Sequence, residues 1–254
     1  MTDIAPPDRT LWNVSGKDAL SFLQGLVSND MRPLETGPGI VWAALLTPQG
    51  KYLADFFVLR LPDGQLLIDI ASGLATDTLR RMVMYRLRAD VQIAASDLKV
   101  TRGIGTLPDG ALPDPRHPAM GWRLYGSEMA STVAVDWDAI RVQHLVPESG
   151  IELIPDETYI LEAGFERLHG VDFRKGCYVG QEVTARMKHK TELRKGLVRV
   201  VIEGSAPVGT EIMDDNGKAV GTLFTRSDGF AIAHLRLDRA DGILMAGQAR
   251  IWIE

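Results

Sequence analysis

The chain holds a single cysteine, Cys177, within Lys175-Gly176-Cys177-Tyr178-Val179-Gly180-Gln181-Glu182, between glycines and beside a cation. A thiol acts as nucleophile or metal ligand in its thiolate form, which nearby positive charge and helix N-termini favour. From Arg174 to Lys195, seven cations (Arg174, Lys175, Arg186, Lys188, Lys190, Arg194 and Lys195) face two acids, Glu182 and Glu192. That local balance of +5 stands in a chain whose total is −5. The residues therefore predict a lowered thiol pKa and a reactive group at Cys177. The other reading is a buried, inert cysteine packed as a small hydrophobe.

A turn followed by a helix is the element that would position this thiol. Gly176 and Gly180 loosen the backbone on either side of it, and Val179, Val183 and Met187 recur every fourth residue. Glu182 falls in the first turn and Lys188, His189 and Lys190 in the last, which suits the helix dipole. These charges also have a plain reading as a solvated helix face, worth about 0.3 kcal/mol each.

Taken with Val183-Thr184-Ala185-Arg186, the eight residues resemble the signature of the YgfZ family of folate-binding, iron–sulfur-assembly proteins. The likeness extends back through Glu162-Ala163-Gly164-Phe165 and Gly170-Val171-Asp172-Phe173-Arg174, and forward to Leu193-Arg194-Lys195. Fainter echoes lie at Phe22-Leu23-Gln24-Gly25-Leu26, Ser28-Asn29-Asp30, Gly50-Lys51, Asp114-Pro115-Arg116 and Gly121-Trp122-Arg123, so nearly the whole chain is covered. The Arg186-Met187-Lys188-His189-Lys190 segment is most similar to the branch that includes mitochondrial late-acting cluster-assembly factors and their bacterial relatives. Two positions depart from the pattern: Ser28 stands where Thr is frequent, and Thr191 follows Lys190 where Gly is frequent.

The resemblance implies kinship with the T-protein of the glycine cleavage system, a three-lobed cloverleaf holding tetrahydrofolate at its centre. Tetrahydrofolate is accordingly the expected cofactor. A pterin needs an apolar or aromatic wall with paired donors and acceptors, and its glutamate tail needs cations. Tyr178 and Trp122 are the candidate walls, and Arg116, Arg123, Lys175 and Arg186 the candidate anion partners. Asp30 or Glu162 would face the pterin, and Gly176, Gln181 and Glu182 complete the expected cofactor-binding set. Read without the family, Trp122 is an ordinary core aromatic, and Arg116 and Arg123 are solvated surface charges.

The implied function is a folate-binding accessory factor for iron–sulfur cluster assembly or repair, acting through Cys177, with assembly proteins and client enzymes as partners. A tetrahydrofolate-dependent aminomethyl or one-carbon transferase is the enzymatic alternative, and a folate-linked tRNA-modification interaction module the third. One thiol cannot complete a four-thiolate site, so a transient cluster would take its other ligands from another chain or a small molecule. No residue is assigned to a resident metal: His117, His144, His169, His189 and His234 show no ligand spacing, and HExxH and phosphate-loop patterns are absent.

Composition sets the remaining bounds. Apolar residues at 45% and charged ones at 24% are those of an ordinary globular protein, arguing against disorder. An acidic total opposes general nucleic-acid binding, and no apolar run reaches a membrane-spanning length. The start, Met1-Thr2-Asp3-Ile4-Ala5-Pro6-Pro7, lacks a basic stretch and an apolar core, which leads to a cytoplasmic expectation.

An α+β class follows from the order of elements. Residues 1–97 are expected to form an N-terminal lobe: a strand at Thr10–Val14, a helix entered through a capping box at Ser15-Gly16-Lys17-Asp18, and a meander over Ile40–Thr47, Tyr52–Leu61 and Gln65–Ala71. A helix over Leu74–Arg86, with Leu79, Met82 and Val83 inward, and a strand over Ala89–Ala95 complete it. Residues 98–195 form a second α+β lobe carrying the signature, with strands at Lys99–Gly103 and Trp122–Tyr125 and a helix over Trp137–Leu145. Residues 196–254 read as strands alone, with turn cues at Asp215-Asn216-Gly217 and Asp228-Gly229, and a small barrel would hide their edges.

Overall fold

The computed structural model describes residues 8–189 and 193–253. Five strands and two helices build the first lobe: β1 (Arg9–Ser15), α1 (Ala19–Leu26), β2 (Gly39–Leu46), β3 (Tyr52–Arg60), β4 (Leu66–Ala71), α2 (Ser72–Arg86) and β5 (Gln92–Ala95). The strands form one antiparallel sheet in the order β2-β3-β4-β1-β5. Successive side chains of a strand point to opposite faces, and here both faces are covered, which is why β2 and β3 read as nearly unbroken apolar runs. Ala43, Leu45, Phe56, Val58, Ile68 and Ile70 pack beneath α1 and α2. Trp42, Ala44, Phe57, Leu59 and Leu67 enter a second core shared with Tyr125, Val146, Leu153, Phe165 and Tyr178.

The second region holds β6 (Lys99–Gly103), β7 (Leu112–Pro113) and β8 (Trp122–Gly126), an antiparallel sheet in the order β6-β8-β7. It continues into α3 (Trp137–His144), whose Asp136 side chain accepts the Ala139 N–H at 2.9 Å. Turns then lead to α4 (Gln181–His189). The tail comprises β9 (Lys195–Glu203), β10 (Glu211–Met213), β11 (Ala219–Ser227), β12 (Phe230–Arg236), β13 (Leu244–Ala246) and β14 (Ala249–Ile253). These close into a six-stranded barrel in the order β10-β11-β12-β9-β14-β13, around Val200, Ile212, Leu223, Leu235 and Ile251. The α+β architecture with a terminal barrel is thus the one the sequence predicts.

Several local expectations are corrected. The capping box before α1 does not form: Asp18 is the N-cap without a side-chain cap, and its carboxylate accepts the Asp90 N–H at 2.8 Å instead. On α2 the buried face is Ala75, Thr78 and Met82, while Val83 lies outside it, 47% exposed. β5 starts at Gln92, because Ala89 and Val91 are spent on a turn that closes on Arg86. β7 and β13 are too short to register as alternating patterns. Lys190, Thr191 and Glu192 lie outside the described residues, so α4 is followed only to His189.

Candidate functional site

Cys177 is a free thiol exposed at the surface, not packed in the core as a small hydrophobe. Its loop is fixed on both sides. Tyr178 N–H donates to the Gln181 side-chain carbonyl at 3.3 Å, and Gln181 N–H donates back to the Tyr178 carbonyl at 3.2 Å. Gln181 therefore closes the entry to α4, and its acceptor is not turned outward to a ligand. Gly180, at φ +83°, sits against the β2–β3 turn so closely that a Cβ there would lie 2.6 Å from the Thr47 carbonyl oxygen. Gly50 in that turn approaches the same helix, where a Cβ would meet the Val183 Cβ at 2.8 Å. Two glycines thus let the helix start rest directly on the hairpin.

Lys175 anchors the other end of the loop. Its ammonium donates to the Gln24 carbonyl, and the Gln24 side-chain amide donates to the Lys175 carbonyl at 3.0 Å. The same Gln24 side chain accepts the Met31 N–H at 2.7 Å, so one residue of α1 joins three chain segments. Lys175 is only 6% exposed, and its ammonium lies 4.9 Å from the Tyr178 ring centroid. Burial pushes its pKa down to about 8, against the opposing pull of Asp30, Asp172 and Cys177. The expected outward anion partner is therefore an internal clamp. Gln24 was visible only as part of a family echo, and nothing local in the sequence marks it as a hub.

The other candidates divide between surface and interior. Gly176, Glu182 and Arg186 are exposed with Cys177. Asp30 is bound by Arg32 through a bidentate pair with contacts of 2.7 and 2.9 Å, and that hydrogen bonding holds its carboxyl below the usual range. Tyr178 is buried in the core, with its hydroxyl unpartnered among the described residues. Glu162 faces the barrel, 3.2 Å from His234 Nε2, and not the signature loop. Trp122 is buried against Gly103, where its ring occupies the space a Cβ would need.

Arg116 and Arg123 depart furthest from expectation. Arg123, 1% exposed, donates to Asp69 at 2.8 Å and to Asp114 at 3.2 Å, and lies 3.8 Å over the Phe57 ring. Arg116 holds Asp114 at 3.0 and 2.9 Å, while Arg9 and Tyr125 complete the shell of Asp69 at 2.6 and 2.9 Å. Burial opposes ionisation of both carboxyls, but the guanidiniums outweigh it and hold them below the ordinary range. These residues do not fit a folate. Of the four cations expected to receive its glutamate, Arg116 and Arg123 are held by buried carboxylates and Lys175 is turned inward onto the Gln24 carbonyl beside the Tyr178 ring, which leaves Arg186 alone exposed, and Trp122 is packed on backbone. A cleft of about 720 Å³ opens on the barrel, lined by Glu203, Asp241, Ile243, Arg250 and Trp252 among others, and includes none of the candidate residues.

Residues 194–253 match the family described as CAF17, C-terminal beta-barrel domain. Over 221 residues the chain is 34% identical to the mitochondrial iron–sulfur cluster assembly factor IBA57 homolog of Mycosarcoma maydis, covering 76% of this chain and 55% of that protein. Its homologues are IBA57 assembly factors. The mitochondrial IBA57 of Mus musculus is 30% identical (78% of this chain, 66% of that protein), and that of Homo sapiens is 28% identical (93% and 78%). The chain thus spans a little over half the length of the fungal relative. The relatives bear the IBA57 name, which narrows the YgfZ resemblance to that branch. All three are mitochondrial proteins, and the cytoplasmic expectation is overturned by them. Among solved structures, the glycine cleavage system aminomethyltransferase T from Bartonella henselae superposes with a TM-score of 0.74 over 96% of this chain and 82% of that one. At 15% identity, that likeness speaks for the fold.

Proposed function

We propose that this chain assists assembly of iron–sulfur clusters, with Cys177 lending one thiolate to a cluster that a partner protein holds by its remaining ligands. The observation that carries the reading is an exposed, free thiol on a loop clamped from both ends, in a chain whose homologues are assembly factors. The step is ligand exchange without change of oxidation state. The S–H bond of Cys177 breaks, an iron–sulfur bond forms, and the displaced ligand leaves with the proton. Lys175 and Gln24 keep the loop in place, and the exposed Arg186 on α4 adds positive charge suited to an anionic thiolate-ligated cluster.

Folate is not carried into this reading, and the fold likeness to an aminomethyltransferase does not carry one-carbon transfer. The test is replacement of the chromosomal gene by Cys177→Ser, followed by assays of cluster-dependent enzymes. The expected result is loss of their activity with normal abundance and thermal stability of the variant. Undiminished maturation would refute the role given to the thiol.

A further inference from the structure

We propose that the outer ridge of α2, formed by Met84 and Leu87 between Arg81 and Arg88, is a docking surface for a partner protein whose apolar pocket is rimmed by carboxylates. Met84 is 70% and Leu87 88% exposed, and Val83 and Tyr85 flank them at the surface. Met82, two residues before Met84, is fully buried, so the helix is already anchored without the ridge. Leu87 is also strained. It follows the last helical residue at φ 47°, ψ −108°, backbone territory that suits glycine and that a leucine enters at a cost. Leu145, at the end of α3, also has positive φ, but it packs against the small cluster of Val142, Phe224 and Ile232. Leu87 has no such compensation among the described residues: the fold bears backbone strain while a large apolar side chain stays exposed.

Charge identifies the occupant. Arg80 is paired with Asp77 at 3.2 Å and Arg86 donates to the Val91 carbonyl at 3.3 Å, whereas Arg81 and Arg88 have no partner among the described residues. Two uncommitted guanidiniums beside an apolar ridge, on a chain of net charge −5, complement an acidic rim around an apolar pocket. A lipid surface is disfavoured, because electrostatic adsorption draws on clusters of roughly four to eight cations. The ridge belongs to the helical layer to which the thiol loop is tied. α1 and α2 cover one face of the five-stranded sheet, Val179 of the signature packs into that core, and Gln24 of α1 holds Lys175. The inference needs no cluster chemistry, so it and the proposed function can fail separately.

A photo-crosslinking amino acid placed at position 84 of the full chain, in cells of its source, captures what sits on the ridge; the captured protein is then purified and titrated with the unmodified chain. The expected result is a soluble protein whose affinity falls with rising salt and drops at least tenfold with Leu87→Gly and with the double change Arg81→Glu and Arg88→Glu. Leu87→Gly relieves the backbone strain and is expected to raise the unfolding midpoint by about 2 °C while it weakens docking. The proposal is overturned by adducts only to lipid, only to a second copy of this chain, or to nothing. A captured complex whose affinity neither variant changes overturns it equally.

Discussion

Lys175→Met, made in a Cys177→Ser background so that no thiol titrates, isolates the cost of the buried ammonium. The sign follows from the direction of the shift. With a folded pKa of about 8 against 10.5 for an ordinary lysine, the native protein releases the proton while the unfolded chain still holds it. Stability contributed by this group is therefore present above the unfolded value and is lost as pH falls through about 8. Between about pH 7 and about pH 9.5 the two values correspond to roughly 2 kcal/mol, and solvent screening of a partly hydrated group cuts this to about 1 kcal/mol. Urea unfolding at both pH values, for the Cys177→Ser parent and for the same chain carrying Lys175→Met, gives the comparison directly. The parent should gain about 1 kcal/mol on the variant as pH rises. Parallel dependence of the two proteins on pH would show that the ammonium is not held inside, and the clamp between Lys175 and Gln24 would have to be abandoned.

Asp114→Asn should destabilise the chain by about 3–5 kcal/mol, because it strips charge from the partner of two buried arginines, and thermal or denaturant unfolding will show it. A loss below about 1 kcal/mol would mean that Arg116 and Arg123 reach water. Calorimetric titration with tetrahydrofolate should give no saturable heat at micromolar concentrations, since Arg116 and Arg123 are engaged by Asp69 and Asp114, Lys175 is turned inward onto Gln24, and Arg186 alone of the expected anion partners is exposed. Micromolar binding abolished by Arg116→Ala would reverse that conclusion.

The barrel was the most legible part of the chain because its information is local. The Asp214–Lys218 turn forms where Asp215-Asn216-Gly217 stands, and Ser227 pairs with Phe230 across Asp228-Gly229. α4 was legible for the same reason, although the helix starts at Gln181 and leaves Val179 to the preceding loop. The ion network was not. Asp69 meets Arg9 and Arg123 across 60 and 54 residues, and no periodicity links such positions. Without those partners, Arg116 and Arg123 read as free cations and Trp122 as an available wall. Cys177 stood out by its uniqueness, but Gln24, which places its loop, is an ordinary amide on a short helix and emerges only in three dimensions.

The meeting of Gly50 and Gly180 means that the cysteine's posture is a property of the folded whole. An octapeptide copied from Lys175–Glu182 would carry the sulfur but neither the hairpin it leans on nor the amide that tethers it. Grafting that stretch onto an unrelated scaffold should transfer its sequence without its orientation. Engineering that aims to move this thiol elsewhere has to move the β2–β3 corner and the first helix along with it.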